Sequence, residues 1–171
     1  GFLMHHDGQS GVLESIDGRE TAPAAARPDR FMGADGKPLS FRNAWPGGYS
    51  VGVPGNLRLA WDAHRKWGKL PWADLFQPAI RAAEEGFEVR QRLDTAMKAV
   101  AGVWADFPEI QKYFWIDGKP APMGTILKNP PLAALFKRIA AEGPDAFYTG
   151  DNARLMAQAV TNAPKNPVPM T

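Results

Sequence analysis

The chain contains no cysteine, which excludes disulfides, thiolate metal sites and a cysteine nucleophile. It has only 3 histidines, and it has no apolar run approaching the length of a membrane span. Charge of one sign is lacking too: 20 Lys+Arg face 18 Asp+Glu, a formal net charge of +2. With no Lys/Arg cluster either, an electrostatic footprint for nucleic acid is missing. Neither a signal peptide nor an initiator Met opens the sequence, which starts "GFLM" as though inside a strand. The expectation is therefore a piece of a longer protein.

The rest is ordinary globular material. A length of 171 residues is about one domain, with 44% hydrophobic and 22% charged residues. "GFLMHHDGQSGVLESID" places two apolar segments around a polar turn, Asp7 to Gly11, which predicts a β-hairpin. A Pro-, Gly- and Ala-rich stretch then runs to "GVPG" at 52–55. Loops of that length are more often functional than decorative.

From there the period is helical. "NLRLAWDAHRKWG" puts Leu57, Ala60, Trp61, His64 and Trp67 on one face, with Asn56 as N-cap and Gly68 at the C′ position. Pro78 predicts that "PWADLFQPAIRAAEEG" divides into two helices, because proline lacks the N–H that a helix interior needs. Leu93, Ala96, Met97 and Val100 mark another helix. "DFPEIQKYFWIDGKPAPMGT" reads as irregular, with a short extended piece at Tyr113–Ile116 turned by Asp117-Gly118. "NPPLAALFKRIAAEG" has Asn129 as cap, Pro130 and Pro131 in its first turn, and Gly143 as its stop. A last helix is expected after Asp151, then an irregular tail with three prolines in eight residues. The organisation expected is 1–55 strands and a substrate-side loop, 56–162 helical, and 163–171 tail.

Candidate chemistry is sparse. His5 and His6 are adjacent on a strand and point to opposite faces, so with Asp7 they make a poor chelate. His64 lies on an apolar helix face and reads as a satisfied packing histidine. Glu84-Glu85 reads as a solvated pair, and the 6 tryptophans as packing. "GVPG" lacks the longer glycine cradle and lysine of a phosphate loop. No nucleophile elbow is present. What stands out is "IDGRETAP", 16–23, where Arg19 sits between an apolar strand pattern and an Ala-Pro stop, with Glu20 following. Read from the residues, Arg19 is either a surface charge at a strand end, paired with Glu20 or Asp17, or a positioned anion receptor.

Taken in order, "GFLMHHD…IDGRETAPAAA", "GGYSVGVPGNL", "AHRKWGKLPWADLFQPAIRAAEEGFEV" and "GPDAFYTGDNARLMAQAV" resemble consecutive large-subunit segments of the gamma-glutamyltransferase family. The resemblance covers nearly the whole chain. It implies an α+β fold: part of the four-layer αββα sandwich of N-terminal-nucleophile hydrolases, here mainly helical with an N-terminal β-hairpin. It implies a precursor that cleaves itself, so that the freed N-terminal threonine of a small subunit becomes the nucleophile. That threonine takes the γ-glutamyl group from glutathione or a related amide and passes it to water or an amino acid. The family is usually periplasmic, secreted or surface-bound.

By the same resemblance Arg19 binds the α-carboxylate of the γ-glutamyl substrate, and Glu20 orients Arg19 or a nearby loop. A planar guanidinium suits that role, since it holds a carboxylate bidentately and stays charged at any working pH. No catalytic residue is expected in this chain. Thr21, Thr95, Thr125, Thr149, Thr161 and Thr171 do not match the processing site, and the family's glycine-rich segment before "GF" is missing. No metal or cofactor is expected. The small subunit and the γ-glutamyl substrate are the implied partners, and nucleic acid is not. Two alternatives stand beside this: a related cephalosporin or glutaryl acylase, and a non-catalytic interaction domain using the loop at 24–55.

Overall fold

Two five-residue strands with opposed alternation open the chain. Strand β1 (Phe2–His6) pairs antiparallel with β2 (Leu13–Asp17), with Leu3 opposite Ile16 and His6 opposite Leu13. The turn is built as expected: Asp7 Oδ1 accepts from the backbone N–H of Gln9 (2.8 Å) and Ser10 (3.1 Å). Leu3, His5, Glu14 and Ile16 are sheltered on one face, while Phe2, Met4 and Leu13 on the other are exposed. The structure is a computed structural model describing residues 1–170. Its backbone divides into two units: one of Gly1–Trp72 with the stretch from Glu142 onward, the other Ala73–Ala141.

In the first unit the loop after β2 carries only a short helix, α1 (Phe41–Ala44), and a helical turn at Gly48–Ser50. Helix α2 (Asn56–Trp67) then packs on the hairpin. His5 stacks on Trp67 with ring centroids 4.2 Å apart, and Lys66 pairs with Glu14. Three expectations for α2 need correction. Asn56 is inside the helix and caps nothing; Gly55 takes the cap position, and the Asn56 amide oxygen accepts from the Gly1 nitrogen. Ala60 is exposed, and Leu59 and Ala63 turn inward with Trp61. Gly68 is extended (φ −63°) rather than left-handed; a Cβ there would come within 2.4 Å of the His64 ring, so close packing explains the glycine. Helices α7 (Asp145–Tyr148) and α8 (Gly150–Thr161) complete this unit; α8 starts one residue earlier than Asp151. The tail returns to the loop, where Asn166 donates to the carbonyls of Asn43 and Pro46, both at 2.8 Å.

The second unit holds helix α3 (Trp72–Glu85) from its second residue onward, and here the split expected at Pro78 does not occur. Proline removes one N–H, but both Pro78 and the Asp74 residue that loses its partner are exposed, so water can satisfy the freed carbonyl. The helix then tolerates the ring because its inward face, with Ile80 and Ala83 buried, is intact. Strand β3 (Phe87–Glu88) pairs with β6 (Ile126–Leu127). Helix α4 (Gln91–Trp104) follows, and its Met97 is fully buried with Val89, Ala121 and Leu127. Leu93, Trp104 and Phe114 pack against that cluster.

"PEIQKYF", expected to be irregular, is helix α5 (Pro108–Phe114), so Tyr113 and Phe114 are helical rather than extended. Only Trp115–Ile116 is a strand (β4), paired with β5 (Lys119–Pro120). Asp117 (φ 49°) and Gly118 (φ 75°) between them have the left-handed pair that a tight hairpin turn requires. Helix α6 (Pro130–Glu142) behaves as read: Asn129 Oδ1 accepts from the Leu132 N–H at 3.0 Å, and Gly143 stops it with φ 83°.

Candidate functional site

The site forms where the end of β2 meets the start of α2. Asp17 Oδ1 accepts from the Arg19 N–H (2.9 Å), a local turn that lifts the chain out of the strand. Two residues on, Thr21 and Val53 exchange backbone hydrogen bonds of 3.3 and 2.8 Å. That exchange ties "RETAP" to "GVPG". Three glycines make the approach possible. A Cβ on Gly18 would lie 2.3 Å from Leu59 Cβ, one on Gly55 would lie 2.8 Å from the Arg19 carbonyl oxygen, and one on Gly52 would lie 2.8 Å from Glu20 Cγ. Small residues at these positions are thus a packing requirement.

"GVPG" is pinned from its other side by "GPDAFY". The Tyr148 hydroxyl donates to the Pro54 carbonyl (2.8 Å) and accepts from the Arg58 N–H (3.2 Å). The Arg58 guanidinium pairs with Asp145 at 3.2 Å and covers the Tyr148 ring at 5.7 Å. Two sequence segments far apart therefore hold one short loop, and that loop holds Arg19.

Arg19 donates from Nε to Glu20 Oε1 at 3.1 Å. Its side chain is 66% exposed, that of Glu20 51%. No other hydrogen bond engages the guanidinium among the described residues, so its two terminal nitrogens stay available to a ligand. The Glu20 carboxyl is held below the usual carboxylate range, first by a hydrogen bond from its own backbone N–H and then by Arg19. The pair is charged at neutral pH. Both readings of Arg19 coexist in this geometry: an exposed ion pair that uses one nitrogen, and an open fork.

Beside this turn lies a cleft of about 430 Å³, within the size range of small-ligand sites. Glu20, Pro23, Arg30, Phe31, Tyr49 and Val51 line it, and Arg19 does not. Phe31 and Tyr49 meet edge to face, with centroids 6.2 Å apart. Arg27, which also lines the cleft, grips both oxygens of Asp29 through Nε and Nη2 at 3.0 and 3.2 Å, and those bonds hold the Asp29 carboxyl below its ordinary range. Arg30 is different: its Nη2 is buried and has no hydrogen-bond partner. The sequence reading marks the loop but does not single out Arg30, because nothing in its spacing distinguishes it from Arg27.

The other candidates stay apart from the site. His5 lies against Trp67, and His6 is on the exposed face. His64 Nε2 is 2.8 Å from the Leu70 carbonyl, and its ring meets Trp72 edge-on. Glu84 pairs with Lys137, which is the solvated role expected for it.

The order of these segments has counterparts in known proteins. Residues 1–164 match the family described as Gamma-glutamyltranspeptidase. The chain is 36% identical over 166 residues to the glutathione hydrolase proenzyme of Bacillus subtilis (strain 168), covering 94% of this chain and 27% of that protein. It thus spans about a quarter of the length of such relatives. The crystal structure of Helicobacter pylori gamma-glutamyltranspeptidase superposes with a TM-score of 0.89 at 25% identity, covering 98% of this chain and 48% of that one. A cephalosporin acylase from Bacillus halodurans also matches, with a TM-score of 0.72, 25% identity, and coverage of 92% of this chain and 29% of that one. The α+β fold is that of a segment of an N-terminal-nucleophile hydrolase, as the family resemblance implied. By family match, by curated relatives and by structure, the chain belongs to the gamma-glutamyltranspeptidase family.

Proposed function

We propose that this chain supplies the carboxylate-binding wall of an enzyme that transfers or hydrolyses the γ-glutamyl group of glutathione and related amides. The observation that carries this is Arg19: a charged guanidinium with unoccupied terminal nitrogens, set on a turn locked to "GVPG" by the Thr21–Val53 bonds. In this reading Arg19 takes the α-carboxylate of the γ-glutamyl group, while Glu20, bound to Nε, keeps the fork turned outward. Fixing that remote carboxylate places the γ-carbonyl at a set distance from a nucleophile, so the binding energy serves orientation.

The nucleophile belongs to a partner segment of a longer protein, an N-terminal threonine whose α-amine can act as base. Its hydroxyl adds to the γ-carbonyl, the amine leaves with the proton, and a γ-glutamyl ester forms. Water or a second amine then takes the acyl group and regenerates the hydroxyl. The chain alone is inactive on this view. A periplasmic or secreted setting goes with the reading; among the described residues no helix is long and apolar enough to cross a membrane.

A second reading, an acylase on the same scaffold, is favoured by the likeness to the Bacillus halodurans enzyme. Release of the chromophore from a γ-glutamyl anilide tests both. The full-length precursor, once processed, is expected to release it and the pure 171-residue chain is not. Turnover of a 4-aminobutyryl anilide, which keeps the amine but lacks the α-carboxylate, at the same rate as the γ-glutamyl compound would overturn the role of Arg19.

A further inference from the structure

We propose that Arg30 is a second carboxylate receptor, which binds the carboxylate of the amine half of the reaction: the amino acid or peptide that leaves with, or attacks, the γ-glutamyl carbonyl. The assignment of that occupant rests on the γ-glutamyl reading above; the receptor itself rests on the cleft.

A guanidinium cannot lose its proton in a protein, so a buried Arg nitrogen without an acceptor carries an uncompensated cost. Most buried polar atoms are paired, and an exception with a cavity beside it calls for a ligand. Arg30 meets both conditions. Its Nη2 is buried and unpartnered, and the residue lines the 430 Å³ cleft. Arg27, three residues earlier on the same loop and also on the cleft wall, is paired with both oxygens of Asp29, whereas Arg30 has no carboxylate partner among the described residues. The walls, Pro23, Phe31, Tyr49 and Val51, are apolar or aromatic and provide for the body of a small molecule. Glu20 supplies a charged carboxylate to the same cleft. A cation for a carboxylate, an anion for an amine or peptide N–H, and apolar walls between them fit an amino acid or the end of a short peptide.

Glu20 also connects the two receptors, since it lines the cleft and binds Arg19 Nε. A γ-glutamyl dipeptide has carboxylates at both ends, one for Arg19 and one for Arg30. The leaving amine departs along the path by which an accepting amine arrives, so one cleft serves both.

The test uses the processed full-length protein and its Arg30→Met variant, which keeps the stem and removes the charge. The readout is the ratio of kcat/KM for a γ-glutamyl dipeptide with a free C-terminal carboxylate to that for its C-terminal amide. A charge-assisted hydrogen bond predicts that the variant lowers this ratio by about tenfold or more. The same comparison with glycylglycine and its amide as acceptors separates an accepting amine from a leaving one; a fall in either ratio supports the proposal. Wild-type turnover with both ratios unchanged in the variant overturns it. If the wild-type protein turns over no γ-glutamyl compound, the functional reading fails and the cleft is decided separately by calorimetric titration with N-acetylglycine. Saturable binding lost in Arg30→Met then supports the receptor, and absence of binding overturns it. The variant is expected to melt no lower than the wild type, because it removes a buried nitrogen that has no hydrogen-bond partner.

Discussion

Gly55 lies directly beneath Gly18: a Cβ on Gly55 would stand 2.3 Å from the Gly18 carbonyl oxygen. Backbone cannot give way as the end of a long side chain can. The Gly55→Ala variant is therefore expected to lose roughly 1–3 kcal/mol of stability, as overpacked sites do, and to displace the turn that carries Arg19. Gly102, mid-helix in α4 with nothing within 4 Å of an added Cβ, is the control. Gly102→Ala should gain roughly 0.5–1 kcal/mol from helix propensity. Urea titration of both variants checks the pair; equal effects would remove the packing argument.

Arg19→Lys in the processed full-length protein should raise KM for γ-glutamyl substrates steeply. Lysine keeps the charge but presents a point where the site needs a planar fork, and it loses the Nε bond to Glu20. A charge-assisted pair contributes roughly 1.5–3 kcal/mol, so kcat/KM should fall about tenfold to a hundredfold. Self-cleavage of the precursor, which needs no free substrate, should proceed. Unchanged kcat/KM would mean that Arg19 is not the receptor.

Much of this fold is legible in the sequence, and the failures share a cause. The β1–β2 hairpin, the ends of α6 and the Asp117-Gly118 turn are dictated by local chemistry: an Asx turn, an Asn cap, a left-handed pair. Local rules fail where packing or solvent decides instead. Pro78 is tolerated because its face is exposed, Gly55 rather than Asn56 holds the cap of α2, and α5 forms although its flanks look irregular. The site divides the same way. Arg19 is found through the motif that surrounds it, whereas Arg30 becomes visible only when the loop folds and leaves one of two similar arginines without a partner.

Pro78 itself offers a stability test. Pro78→Ala restores an N–H for the Asp74 carbonyl and removes the ring from an otherwise regular helix. Proline in a helix interior costs about 3 kcal/mol relative to alanine, offset by up to about 1 kcal/mol because proline also restricts the unfolded chain. A net gain of roughly 2–3 kcal/mol is expected in chemical denaturation. A loss would show that the ring is needed for packing.

Acid should loosen the hairpin turn. The Asp7 carboxyl is held below its ordinary value of 3.8, first by the backbone N–H of Ser10 and then by that of Gln9. A carboxyl lowered by folding adds stability above its unfolded pKa and loses it as pH falls through the folded value. The contribution is thus complete at neutral pH and disappears only below about pH 4. Amide exchange at Gln9 and Ser10 should accelerate there relative to the intrinsic rate, and Asp7→Asn should abolish that pH dependence. Indifference of the wild type to pH across this range would sink the prediction.

The hairpin also predicts how the isolated chain behaves. Phe2 and Met4 are each 70% exposed and Leu13 58%, all on the face of β1–β2 turned away from α2. The sheet has two strands, so each also presents an outer edge of backbone groups. An apolar face with open edges favours association, and a pair of strands is marginal without further support. The helices from Asn56 onward have their own buried residues, Met97 and Ile139 among them. Hydrogen exchange on the dilute 171-residue chain should therefore find residues 56–162 protected and residues 1–50 fast, with hairpin protection rising as concentration increases. Met4→Thr combined with Leu13→Thr polarises the exposed face while keeping β-forming residues, so it should lower the apparent mass in light scattering without loss of helical circular dichroism. Strong protection of Phe2–Met4 that does not depend on concentration would instead identify an autonomous domain, and would return weight to an interaction module built on the loop at 24–55.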